Sequence, residues 1–518
     1  MKEKKEKKEK EKKEKTAKQS SEKNSVRKYN TPLCDDSMSF EECEIAVLRH
    51  AVDESGIKYA AKVYTNQDIK DILAIVEDFI RHKRMLLYGG TAINNILPKS
   101  AQFYDYDEEL PDYDFYSKNA FEDALELADI YFKKGYKDVE AKSGVHFGTY
   151  KVFVNFIPIA DITFLDPTIF NAVMKDAIVI DRMHYCSADF LRMSMFLELS
   201  RPAGDVSRWE KVFKRLTLLN THYPMNPGTD CMSVEFQRKM DSNTELSEKI
   251  YLTVRDAFIH QGVVFFGGYA VNLYSKYMPA NEQKLIKKIP DFDVLSEEPI
   301  KVAEFTRDRL KDAGFSDVRV VKHPAVGEII PEHYDIRVGD ETVAFVYTPI
   351  GCHSFNTIEV GNNEINVATI DTILSFYLAF IYANRPYFQK NRLLCMAKFL
   401  FDVEHRNRLE QKGLLTRFSI NCYGKQPSLD DIRSEKAEKF KELSQNRNSL
   451  EYHKWFLKYN PSNPNQVLNK LRKTRKIRPM IPENREPGEK IHKNGVQKQG
   501  RFSTRRRYRS KKSSNYFF

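Results

Sequence analysis

Only two tryptophans and seven cysteines occur in 518 residues, and no two cysteines stand as Cys-x-x-Cys. The seven (Cys34, Cys43, Cys186, Cys231, Cys352, Cys395 and Cys422) are odd in number and scattered. That pattern argues against a zinc site and a disulfide scaffold, and for a reducing compartment. No apolar run approaches the roughly eighteen residues of a membrane span. The longest, around 263–271 and 373–383, read as a buried strand and a buried helix. The N-terminus is a Lys/Glu run without an apolar signal region, so secretion is not expected. No Walker loop, zinc signature or Ser-His-Asp order competes for the chemistry.

What is present is positive charge and size. The net charge of +11 and a pI near 9.0 imply a polyanionic partner, because Lys and Arg gain affinity by neutralising phosphates. Nucleic acid fits better than an anionic membrane, since no basic amphipathic helix carries an apolar stripe. At 41% hydrophobic residues the chain folds, and its length exceeds one ordinary core. The expected organisation is a disordered tail over 1–35, folded domains over 36–228 and 229–440, and a basic, partly disordered region over 441–518. In the last, Arg501, Arg505, Arg506, Arg507 and Arg509 alternate with Phe502 and Tyr508, a mix that suits single-stranded nucleic acid as well as a solvated or localisation tail. Trp209 and Trp455 read as packing residues.

The chemistry concentrates in two stretches. Met85-Leu86-Leu87-Tyr88 reads as a strand running into Gly89-Gly90-Thr91 and a short helix. Glycines there let a ligand approach the backbone and leave amides free for an anion. Downstream, Pro111-Asp112-Tyr113-Asp114-Phe115 places two acids at alternate positions of a strand, hence on one face. Such a pair invites a cation, and oxygen ligands with open positions describe Mg²⁺ (or Mn²⁺). A third acid, Asp161, stands inside the apolar run 156–165, where a lone carboxylate is costly. Lys211 and Arg215 lie one helical turn apart after this domain and can share a face.

The pattern then recurs. Val263–Asn272 echoes Met85–Asn94, and Pro290-Asp291-Phe292-Asp293-Val294 echoes 111–115 at nearly the same distance. A duplicated α/β (α+β) domain with a mixed sheet is the economical reading. The second copy has Tyr269 in place of Thr91. Its third acid is Asp335 in one register, while another puts Phe345 there, and Lys287 and Lys288 are candidate partners for Asp291 and Asp293.

Gly-Gly-Thr, Asp112-Tyr113-Asp114, Asp161 and the segment Arg201-Pro202-Ala203-Gly204-Asp205 through Leu216 resemble the nucleotidyltransferase superfamily of DNA polymerase β, and within it the poly(A) polymerase catalytic subunits of poxviruses and giant viruses. The resemblance implies two tandem nucleotidyltransferase-like domains, the second degenerate. It implies template-independent adenylyl transfer from ATP to an RNA 3′ end, with Asp112, Asp114 and Asp161 as catalytic metal ligands. Gly89, Gly90, Thr91, Lys211 and Arg215 would receive the triphosphate. The short, polar N-terminal stretch lacks the poxvirus partner-binding domain, so a homodimer is expected rather than a separate processivity subunit. The expected setting is the host cytoplasm or the virion. Another RNA acceptor or nucleotide, or a catalytically dead RNA-binding module, are the alternatives.

Overall fold

Two short apolar strands, each running into a pair of glycines, begin two sheets built to one plan. The computed structural model describes residues 29–34, 38–64, 67–104, 111–234, 236, 244–284, 286 and 290–463. The Lys/Glu tail, the Arg-rich C-terminus, Lys287 and Lys288 lie outside these residues. The first sheet contains β1 (Leu86–Leu87), β2 (Tyr113–Ser117), β3 (Val139–Ser143), β4 (Thr149–Val154), β5 (Ile157–Phe164), β6 (Ile178–Ile180) and β7 (Met183–Tyr185). The second contains β8 (Val264–Phe265), β9 (Phe292–Leu295), β10 (Val318–His323), β11 (His333–Val338), β12 (Glu341–Tyr347), β13 (His353–Val360) and β14 (Asn363–Ala368). Two late strands, β15 (Cys422–Tyr423) and β16 (Lys458–Tyr459), add one to each.

The spatial orders are β16-β3-β4-β5-β2-β1-β7-β6 and β10-β11-β12-β9-β8-β14-β13-β15. Removing the two late strands leaves the same order, strand for strand. The pairings match as well: β1 with β2 and β8 with β9 are antiparallel, while β2 with β5 and β9 with β12 are parallel. The duplication read from the two Gly-Gly stretches is therefore a duplication of topology.

Each sheet is covered by helices whose apolar positions recur at helical spacing. Along Gln67–Lys83 the buried residues are Ile69, Ile72, Val76, Phe79 and Ile80. Phe79 meets Phe115 of β2 with ring centroids 6.4 Å apart. Full burial of side chains this size contributes about 1.5–3 kcal/mol each. In helix Ala120–Lys133, Tyr131 donates its hydroxyl to Ile72 O at 2.6 Å, fastening the two helices together.

Equivalent helices join the halves. Ala188–Leu199 is capped by Ser187, which accepts from Phe190 N, and Ile370–Phe380 by Thr369, which accepts from Thr372 N. These helices pack on one another, with Ser187 Oγ 2.7 Å from Tyr382 OH and Phe190 edge-on to the Tyr382 ring. After residue 428 the chain returns to the first sheet. Lys436 donates to Gly144 O at 2.7 Å, Trp455 lies against Phe147 and Tyr150 donates to Lys454 O. Residues 444–459, whose Asn-rich sequence suggests no regular element, thus cover the β3–β4 edge. Among the described residues no helix is long and apolar enough to cross a membrane.

The cysteines depart from expectation. Three pairs are bonded, Cys34–Cys43, Cys231–Cys395 and Cys352–Cys422, and Cys186 is free and buried. The partners of the second pair are 164 residues apart and those of the third 70, so linear spacing carries no trace of them. The scattered cysteines are therefore no argument for a reducing compartment. Blocking thiols in denatured, unreduced protein should label one cysteine, and Cys231→Ser with Cys395→Ser should lower stability by about 2–4 kcal/mol. Labelling of all seven thiols would contradict the pairing.

Candidate active site

At the end of β1, Tyr88 N donates to Asp114 O at 3.0 Å and the chain turns through Gly89 at φ +74° into helix Gly89–Ile96. A Cβ on Gly89 would lie 2.5 Å from Asp114 Oδ2. One on Gly90 would lie 2.4 Å from the Tyr104 hydroxyl and 2.9 Å from Arg215 Nη1. Gly89 is favoured by its left-handed backbone, and a side chain at Gly90 would have to displace the Tyr104 and Arg215 side-chain ends. Thr91 is buried, and its hydroxyl donates to Asp112 O at 2.8 Å. That proton ties the turn to the acid strand instead of facing outward toward a phosphate.

Alternation along β2 buries Tyr113, Phe115 and Ser117 and turns Asp114 and Tyr116 to the other face. Asp112, exposed, immediately precedes the strand. The parallel pairing of β2 with β5 sets Asp114 directly beside Asp161, and the antiparallel pairing of β4 with β5 sets Lys151 on the other side of Asp161. Lys151 forms an ion pair with Asp161. Burial, reinforced by the charges of Asp112 and Asp161, pushes the Asp114 carboxyl up to about 7. Asp112 is raised by desolvation and then by Asp161. Lys151 and the more remote Arg208 only partly offset the repulsion at Asp114. An all-oxygen set with excess negative charge fits a divalent cation. Among the described residues no three acids stand close enough together to form a metal-holding group, and Asp161 is engaged by Lys151.

The helix Trp209–His222 forms the facing wall. Arg215 donates to Tyr104 OH at 2.6 Å and lies over the Phe103 ring at 4.9 Å. Asn94, fully buried, holds that aromatic pair by accepting from Phe103 N and Tyr104 N. Arg208 sits between Glu198 at 3.2 Å and the field of Asp114. Lys211, one turn before Arg215, is exposed. Arg201, which opens the segment quoted above, turns instead to the second half and donates to Ile350 O, with burial lowering its guanidinium to about 10. Sequence reading missed Lys151, Asn94, Tyr104 and Arg208. A lysine facing an acid on the neighbouring strand has no linear signature, whereas Arg208 stands on the same helix face as Lys211 and Arg215 and was within reach.

The second half has the same frame with different residues at the corresponding positions. Phe345 is in register with Asp293 across β9 and β12, as Asp161 is with Asp114. Asp335 faces Phe345 from β11, the position of Lys151, and is bound by Arg337 and His323. The ambiguity of register is thus resolved with Phe345 in the third acid's place. Cβ atoms on Gly267 and Gly268 would fall 2.1 Å from Asp293 Oδ2 and 2.2 Å from Asp291 Oδ1. Both acids thus lie closer to their turn than Asp114 does to Gly89. Tyr269 is buried among Phe265 and Phe292.

The raised Asp114 has a thermodynamic consequence. A carboxyl held above its ordinary value favours the folded state when protonated, so stability without divalent metal should fall as pH rises from about 4 to about 7. Asp114→Asn should remove this slope and raise metal-free stability at pH 8 by at least about 1.4 kcal/mol, the equivalent of one pKa unit. Denaturant unfolding at several pH values checks it, and an unchanged slope in the variant would count against the cluster.

Residues 74–205 match the family model for the poly(A) polymerase catalytic subunit. A protein of Acanthamoeba polyphaga mimivirus bearing that family name is 33% identical over 177 residues, covering 33% of this chain and 28% of its own length. A counterpart from African swine fever virus (strain Badajoz 1971 Vero-adapted) is 29% identical over 231 residues, covering 43% and 44%. The alignments thus span less than half of these relatives. The crystal structure of the Megavirus polyadenylate synthase superposes with a TM-score of 0.69 at 20% identity, over 87% of this chain and 91% of that one. By its 74–205 segment and by its fold, the chain is similar to the poly(A) polymerase catalytic subunits of large DNA viruses.

Proposed function

We propose that this chain is a polynucleotide adenylyltransferase that extends RNA 3′ ends from ATP at the first of its two sheets. The observation that carries the reading is the register of β2 and β5, which sets Asp114 beside Asp161 next to the left-handed Gly89 turn. Asp112, Asp114 and Asp161 would hold Mg²⁺ or Mn²⁺. Bound there, the ions supply Lewis acidity at the attacking and leaving oxygens of a phosphoryl displacement. The free amides at Gly89 and Gly90, with Arg215 behind them, receive the polyphosphate, and Arg208 and Lys211 add positive charge on the same helix face. Asp161 is the acid nearest a compensating amine, and Lys151 holds its carboxylate in place until substrate arrives. Retention of RNA is assigned to self-association of the chain, which sedimentation with and without RNA reads directly.

Transfer of labelled AMP to a short RNA in Mg²⁺, compared with UTP, CTP and GTP, tests the activity and its nucleotide preference together. Asp112→Asn and Asp114→Asn should each lower the rate by about 10²–10³-fold, the scale of losing one charge-stabilising group. Asp291→Asn with Asp293→Asn should leave it within a small factor. Equal, fold-preserving loss in both sets would mean two working centres. Arg215→Ala should raise the KM for ATP more than it lowers kcat, since it contacts ground state and transition state alike.

A further inference from the structure

Outside the acid cluster, the strongest unexplained feature is one strained aromatic residue at the seam between the halves. Phe418 has φ +57°, a left-handed conformation that a bulky side chain adopts only when its surroundings impose it. Both neighbours are anchored. Arg417 is bound by Asp371 at 2.8 Å and Glu404 at 2.8 Å, and Ser419 donates its hydroxyl to Phe355 O at 2.7 Å. Between these clamps the Phe418 ring is held outward, 36% exposed, against Trp209 and Phe213 of the other half. The Arg417 guanidinium lies 4.7 Å from the Phe418 ring centre and 5.2 Å from that of Phe213.

Trp209 and Phe213 share with Arg215 the helix that Arg208 precedes but occupy its other flank, so the ledge adjoins the proposed active site. Beside it opens a cavity of about 450 Å³, lined by Phe418, Ile420, Thr357 and Asn421 among others. Ile420 is 84% exposed, and Thr357 and Asn421 are exposed polar groups at the rim. Flat rings backed by a fixed cation, with adaptable polar groups alongside, are what an unpaired base requires: stacking for its face and hydrogen bonds for its edge. An apolar peptide would gain little from a left-handed backbone that fixes one ring in one orientation.

We propose that Phe418, with Phe213 beside it and Trp209 behind, is a stacking platform for a base of single-stranded RNA entering the active site. The proposal rests on the adenylyltransferase reading for the identity of the strand. Strain at Phe418 makes the test clean, because glycine accepts the left-handed conformation and removes only the ring. Phe418→Gly should remain folded, with relief of the left-handed strain offsetting part of the lost ring contacts. It should bind a short labelled oligoadenylate roughly 5- to 50-fold more weakly, the range of one base–aromatic stack. Its KM for ATP should be unchanged, and Phe418→Trp should restore affinity. An abasic position walked along the oligonucleotide should weaken parent binding at one step and leave Phe418→Gly indifferent there. Parent-like RNA affinity in Phe418→Gly overturns the proposal, as does a variant that changes only self-association. If the parent transfers AMP and Asp114→Asn does not while Phe418→Gly binds RNA normally, the platform alone fails. If the parent neither transfers AMP nor binds RNA, the reading of function fails with it.

Discussion

Like-charge repulsion among Asp112, Asp114 and Asp161 is the constraint around which the first half is arranged. Two parallel strands bring Asp114 and Asp161 side by side, and burial removes most of the water that would otherwise screen them. One lysine answers one acid, and the remainder is unbalanced. A fold keeps such an arrangement at the expense of its own stability, and perturbed carboxyls in a cleft are a mark of function. The glycine turn, the buried Thr91 hydroxyl and the Asn94-held aromatic pair place backbone amides and Arg215 against that charge.

The second half shows what the same frame does when the constraint is lifted. With Phe345 in the third acid's place, a ring that packs on Tyr387 and His333 stands where the first half has a carboxylate. Asp335 is paired with Arg337, and Asp291 and Asp293 lie against the glycine turn. The copy then supplies a helix partner for Ala188–Leu199 and one wall of the seam. Its role is read as structural support, with Phe418 as its contribution to the strand's path.

Much of this was legible in the sequence, because sheet chemistry is local along a strand. The alternation of Tyr113, Asp114 and Phe115 announces a half-buried strand, and the repeated Gly-Gly and Asp-x-Asp stretches announce a repeated topology. What stayed hidden depends on contacts between distant segments. Lys151 meets Asp161 only through strand register, Phe345 takes the third-acid place only once β9 and β12 are paired, and three cysteine pairs close only in space. The Thr91 hydroxyl bond to Asp112 O was likewise hidden, because a hydroxyl after two glycines faces either a ligand or its own backbone and spacing does not say which.

The central claim is that the first half, and not the second, is built to hold divalent cations. Mn²⁺ binding followed by electron paramagnetic resonance measures this without relying on turnover. The account predicts bound Mn²⁺ in the parent, its loss in Asp114→Asn, and parent-like binding when Asp291 and Asp293 are both changed to Asn. Binding that survives Asp114→Asn and disappears with the second pair would contradict it.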